Sequence, residues 1–255
     1  MALFEVSADD YQRFMGRFSD PLARPFADLG LVGVGPGEPV LDVGCGPGVL
    51  TRELARRSGA GRVAAVDPVD TFVRATRVSL PEVDARVAGA EDLPFADGSF
   101  AATLAQLVVH FMKEPARGLA EMVRVTRPGG RVSACVWDHA GGTGPLATFW
   151  QVARRQDPDV VDEGGLVGST AGQLEALLVG AGLRQVEERP LTISVDIGTF
   201  ADWWDPFTLG VGPAGQHVAS LDPDARAQLE RMLRAELGDG PFTLRATAWA
   251  ATGLR

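Results

Sequence analysis

The chain has 255 residues, 45% of them hydrophobic and 22% charged, which suits an α/β domain with a real core and excludes a fibrous or disordered class. A net charge of −9 repels phosphate backbones, so no nucleic-acid partner is expected. No apolar run reaches the roughly 18 residues of a membrane span, no signal peptide is read, and two cysteines are too few for a disulfide framework, so a cytoplasmic protein is expected.

In chain order, residues 8–29 carry Tyr11, Phe14, Met15, Phe18, Leu22 and Phe26 at helical spacing. They predict one or two amphipathic helices broken near Asp20-Pro21. Val40 to Val43 reads as a short buried strand running into a glycine loop, followed by a helix over 49–57. A strand over 62–66 ending in Asp67, a helix over 69–80 and a strand over 85–88 repeat the pattern. The fourth strand has its core at Thr103 to Leu107; a helix follows over 114–125, and Pro128-Gly129-Gly130 turns into a fifth strand over 131–137. Strands alternating with helices predict a parallel, doubly wound sheet covered on both faces.

Beyond Asp138 the pattern changes. Helices are expected over 145–155, 170–181 and 222–237, strands over 184–195 and 242–250, and an acidic, glycine-rich mobile loop over 157–168. The whole reads as a single domain, 1–255. Residues 1–30 are N-terminal helices, 36–138 a cofactor-binding half, and 139–255 cap helices with closing strands.

Asp42-Val43-Gly44-Cys45-Gly46-Pro47-Gly48 sits where the first strand feeds the first helix of the sheet, the place where open α/β folds bind ligands. Its G-x-G-x-G spacing departs from the dinucleotide fingerprint, with Val49 where a third glycine belongs, and no Lys-Ser/Thr pair makes it a P-loop. Asp42 beside the loop would repel a pyrophosphate and suit a ligand bearing an ammonium and a sulfonium. Asp67, roughly 20 residues on, is placed to accept hydrogen bonds from ribose hydroxyls. The residues thus favour a cationic, phosphate-free nucleoside. A nicotinamide-dependent oxidoreductase and a non-catalytic cofactor-binding protein stay open as alternatives.

Residues 40–48 closely resemble motif I of the class I S-adenosylmethionine-dependent methyltransferases, and 63–68 resemble the motif whose acid holds the ribose. Residues 90–100 are similar to the adenine-flanking motif, and 123–132 to the entry into the fifth strand. The best match is the small-molecule branch that includes the ubiquinone/menaquinone C-methyltransferases. The chain departs from the family pattern at Gly89 and Ala101. The resemblance implies a Rossmann-like, mostly parallel seven-stranded sheet with helices on both faces and a C-terminal cap insertion. It implies S-adenosylmethionine as cofactor, S-adenosylhomocysteine as product and a small-molecule methyl acceptor. It assigns to the cofactor site Asp42, Gly44, Cys45, Gly46, Asp67, Pro68, Ala90, Glu91, Gln106 and Leu107. Tyr11 and Phe14 would close over the cofactor, and Arg17 would face its methionine carboxylate.

Methyl transfer from a sulfonium needs alignment and exclusion of water more than a dedicated catalytic group. A base helps where the acceptor is a hydroxyl or a carbon acid. His110, just after the fourth strand, is the best candidate for one and His139 a weaker one. Phe149, Trp203, Trp204 and Phe207 fall in the inserted segments and are candidates for an apolar acceptor pocket, although for most of them packing of the cap onto the sheet is the favoured reading. The histidines and cysteines show no metal-ligand spacing, so no metal is expected.

Overall fold

The computed structural model describes residue 10 and residues 12–255. Seven strands form one sheet: β1 (Val40–Val43), β2 (Val63–Asp67), β3 (Asp84–Val87), β4 (Phe100–Gln106), β5 (Thr126–Trp137), β6 (Arg184–Ile197) and β7 (Phe242–Leu254). The order is β3-β2-β1-β4-β5-β7-β6. The first five strands run parallel, and β7 enters antiparallel between β5 and β6. Val40 pairs with Val63 on one side of β1 and with Ala102 on the other. The strand order therefore reverses at β1, and a crevice opens at the carboxyl ends of β1 and β4.

Every residue of β1, β2 and β4 is buried, as strands of a doubly covered parallel sheet should be, including the polar Asp42, Asp67, Thr103 and Gln106. Helices α1 (Arg17–Gly30), α2 (Val49–Ser58) and α3 (Asp70–Ser79) cover one face. There Leu22, Phe26, Leu54 and Val73 meet Val40, Ala65 and Leu104. Helices α4 (Pro115–Val125) and α6 (Gln173–Gly180) cover the other, packing Leu119, Met122, Leu174 and Leu178 on Leu41, Val43 and Val66. A third apolar cluster joins α5 (Ala147–Gln156), α7 (Phe200–Trp204), α8 (Gly212–Ser220) and α9 (Pro223–Leu237) above the sheet.

Several expectations need correction. Helix α1 is not broken at Asp20-Pro21. Pro21 and Pro25 each remove a backbone donor, but Phe18, Leu22, Phe26 and Leu29 lie on one buried face that holds the helix together. It is preceded by a π-helical turn, Gln12–Gly16. Strand β5 starts at Thr126, which already pairs with Phe100, so Pro128-Gly129-Gly130 is an irregularity within the strand and not a turn before it. Helix α8 was not anticipated: its sequence, GPAGQHVAS, is rich in glycine and small residues. The 157–168 loop is anchored, because Glu163 is buried and accepts a hydrogen bond from Trp150 Nε1 at 2.8 Å.

Candidate active site at the carboxyl end of the sheet

The glycine loop is built from backbone that L side chains rarely adopt: Gly44, Gly46 and Gly48 have φ of 72°, 51° and 89°. The amides of Gly44 and Cys45 both donate to the Val66 carbonyl, at 2.8 and 2.9 Å, which folds the loop across the end of β2. A Cβ on Gly44 would meet Val108 Cγ2 at 2.4 Å, so this glycine is a packing requirement. Gly46 differs: a Cβ there would meet nothing within 4 Å. It is the loop's open face.

Asp67 is buried and braces that face. Its Oδ2 accepts from the Gly46 amide at 2.9 Å and its Oδ1 from the Val69 amide at 2.8 Å. Burial raises its pKa, and the two amides partly oppose the shift. Each oxygen keeps a lone pair for a further donor. Asp42 is 1% exposed within β1. Burial pushes it up to about 7 against the Thr51 hydroxyl, which donates to Oδ2 at 2.6 Å. Its Oδ1 has no partner among the described residues, a buried acceptor of the kind that an ammonium or a bound water satisfies. Cys45 is a buried free thiol whose pKa is driven up by burial and the neighbouring carboxylates. An open glycine, a braced carboxylate and an unpaired acceptor together fit a nucleoside cofactor with a cationic end.

The other expected cofactor residues scatter around this centre. Pro68 follows Asp67 directly, and Ala90 is buried near α4 against Gly118. Glu91 is turned to the amides of Lys113 and Glu114, which donate to its Oε1 at 2.8 and 3.4 Å. Gln106 Nε2 donates to the Ser19 carbonyl at 3.0 Å, and its Oε1 is a buried acceptor without a partner among the described residues. Leu107 has φ of 62°, which costs a non-glycine residue about 1–3 kcal/mol and marks the end of β4 as strained. Tyr11 lies outside the described residues. Arg17 does not meet the loop: it donates to the Asp202 carbonyl at 2.7 Å and to the Arg13 carbonyl, lining a separate groove between the π-helical turn and the end of β6.

Past the end of β4, one residue before the Val108 that packs on Gly44, Leu107 enters the wall of an apolar cavity of about 30 Å³. Phe14, Met15, Leu107 and Leu146 line it, together with His110, His139, Trp137 and Glu163. Phe14 is thus drawn to the cavity wall. The two imidazole centroids lie 6.0 Å apart. Burial depresses both, His110 to about 3 with help from His139, and His139 to about 4 against the pull of Asp138. His110 Nδ1 has no partner among the described residues. A value so low makes it a poor proton acceptor near neutral pH, so its expected role as base does not follow from its surroundings.

The four aromatic candidates for the acceptor pocket do not line this cavity. They pack the cap. Phe149 stacks on Phe207 at 4.7 Å, and Trp203 and Trp204 crowd the same ring at 4.8 and 6.0 Å. All four are buried, because burying such rings against each other contributes more than exposing them at a ligand surface. Glu163 went unread in the sequence; its acidic, glycine-rich neighbourhood resembles an ordinary solvated loop, and only Trp150 thirteen residues earlier marks it.

The sheet order, with the glycine loop at its switch point, defines the methyltransferase-type α/β fold. Residues 41–134 match the family model described as a methyltransferase domain, the family whose motifs the sequence resembles. A demethylmenaquinone methyltransferase of Mycobacterium sp. (strain JLS) is 42% identical over 104 residues, 41% of this chain and 44% of that protein. The chain spans less than half the length of the first curated relatives it matches. Among solved structures, a protein of Anaeromyxobacter dehalogenans assigned as a type II methyltransferase superposes with a TM-score of 0.64 at 24% identity, over 92% of this chain and 95% of the other. A geranyl diphosphate methyltransferase in complex with S-adenosylmethionine gives 0.53 at 18%, over 94% and 87%. These two likenesses carry the fold alone. No helix among the described residues is long and apolar enough to cross a membrane.

Proposed function

We propose that this protein binds S-adenosylmethionine over its glycine loop and transfers the methyl group to an O, N or C acceptor on a small organic molecule. One observation carries the reading: Gly46 faces open space while its amide is fixed by Asp67. Bound there, the cofactor would supply an activated methyl group, and the chain has to hold, orient and keep dry. Asp67 would take the ribose hydroxyls on its remaining lone pairs, and Asp42 Oδ1 would take the cationic end, directly or through a water. Ala90 and Glu91 would flank the adenine. Leu107, with Phe14 and Met15 across the cavity, would exclude water from the transfer path. The methyltransferase-domain match and the shared menaquinone-type motifs support the transferase reading over the oxidoreductase one. The acidic charge and two free buried cysteines support a cytoplasmic small-molecule enzyme.

Calorimetric titration with S-adenosylmethionine, S-adenosylhomocysteine and NAD tests the proposal. Binding of both sulfur nucleosides without NAD is expected, and release of S-adenosylhomocysteine on adding an acceptor would complete it. Binding of NAD alone would overturn it.

A further inference from the structure

We propose that the cavity past the end of β4 is the acceptor site, and that Glu163 is the group in it that receives the acceptor's proton, selecting a neutral, largely apolar molecule with one O–H or N–H donor. The inference rests on the methyltransferase reading above and names the substrate class it leaves open.

The lining decides the class. Among the described residues, the cavity wall apart from Glu163 and the two histidines is apolar or aromatic, and neither Lys nor Arg contributes to it. A carboxylate or phosphate on the acceptor would be desolvated there with no cationic partner, which is strongly unfavourable. Trp137 Nε1 and His110 Nδ1, on two of the lining residues, are buried polar atoms without partners among the described residues. The cavity offers a space of about 30 Å³, enough for one water-sized polar group. That space fits the polar end of an acceptor; the rest of the molecule would have to displace the π-helical turn bearing Phe14 and Met15, the wall nearest the chain's N-terminal end.

Glu163 is the titratable group suited to the proton. Trp150 Nε1 fixes one carboxylate oxygen, Oε2, at 2.8 Å, while the residue lines the cavity. Burial pushes its pKa up to about 7, the range in which a carboxyl is half ionised near neutrality and takes a proton well. His110 and His139, which line the same cavity, stay neutral. The Arg154–Asp162 ion pair adjoins it along the loop, and His217 lies behind Trp150 at 5.9 Å. In the step itself an acceptor lone pair forms the new bond to the methyl carbon. The carbon–sulfur pair stays on sulfur as a thioether, and the acceptor's O–H or N–H proton passes to the Glu163 carboxylate.

Three probes of one shape separate the possibilities: 4-fluorophenol, 4-fluorotoluene and 4-fluorobenzoate, titrated by fluorine NMR into the full chain loaded with S-adenosylhomocysteine. The phenol is expected to bind about tenfold more tightly than the toluene, the scale of a hydrogen bond to a charged group, with the benzoate weakest. Glu163→Gln should shrink the phenol preference several-fold and Glu163→Leu abolish it, with S-adenosylhomocysteine affinity unchanged in both. Should both variants melt early, the wild-type protein decides. Its phenol preference must rise between about pH 5.5 and about pH 8.5, as Glu163 ionises while the phenol stays neutral. A flat pH profile, a benzoate preference, or no probe binding overturns the inference. Failure of S-adenosylhomocysteine to bind the wild-type protein instead overturns the cofactor reading.

Discussion

Asp67 Oδ2 accepts the Gly46 amide at 2.9 Å, so the carboxylate at the end of β2 sets the position of the one loop glycine that faces open space. Loop geometry and the ribose contact therefore depend on the same side chain. Asp67→Asn keeps one acceptor oxygen but places an amide donor against a backbone donor, at Gly46 or at Val69. It is expected to weaken S-adenosylmethionine binding by about ten- to a hundredfold and to cost about 1–3 kcal/mol of stability. Calorimetry and denaturant melts read the two separately. Unchanged affinity in a destabilised variant would confine Asp67 to bracing the loop.

The two glycines flanking Cys45 should fail differently when given a methyl group. At Gly44 the new Cβ collides with Val108 and also sits at φ 72°, so Gly44→Ala should destabilise the fold by about 2 kcal/mol or more. Val108→Ala in the same chain should recover part of that loss. At Gly46 there is no collision, and only the φ of 51° is strained. Gly46→Ala should cost about 1 kcal/mol or less of stability, yet remove most cofactor affinity, because its Cβ projects into the space assigned to the ligand. Equal stability losses with equal affinities would show that Gly46 does not face the cofactor.

The parallel half of the sheet was legible because its strands are buried on both faces: Val40–Val43 and Thr103–Leu107 read as mostly apolar runs, with glycine and proline punctuating them. The loop was legible because its chemistry is local; Asp42 to Gly48 and Asp67 lie within 26 residues of chain. What escaped was set by tertiary contact. The long α1 survives two prolines because the sheet buries its Phe26 face, which helix propensity alone does not reveal. The orientation of the cap aromatics, and the approach of Glu163 and His139 to His110, depend on how residues 139–237 fold back over β5. No short-range spacing encodes that return.

The cap aromatics give a direct test of the packing assignment. Phe207 touches Phe14, Phe149, Trp203 and Trp204, at centroid distances from 4.7 to 6.0 Å. Phe207→Ala should therefore cost about 3–5 kcal/mol through lost burial and the cavity left behind. Cofactor affinity should be untouched. Phe207→Leu, which keeps most of the volume, should recover over half of the stability without altering which probes bind. A change in probe preference with Phe207→Leu would return this ring to the acceptor site.

The buried ionisable groups make opposing contributions to stability over one pH range. His110 and His139 fall from an ordinary 6.5 to about 3 and about 4, so between those values and 6.5 the unfolded chain binds more protons and stability rises with pH. Glu163 rises from 4.5, and Asp42 from 3.8, each to about 7. Between those limits the folded chain holds more protons, and their contribution falls as pH rises. The wild-type profile alone cannot separate these slopes, but differences between variants can. Glu163→Gln should gain on the wild-type protein progressively from about pH 4.5 to about pH 7, by on the order of 2 kcal/mol, and hold that gain above. His110→Phe should gain in the opposite sense, with its advantage appearing as pH falls below about 6.5. Denaturant midpoints across this range measure both. A Glu163→Gln profile parallel to wild type would mean that Glu163 is already ionised at low pH. It would then have an ordinary solvated environment, and the cavity would lose the one group able to take an acceptor's proton near neutrality.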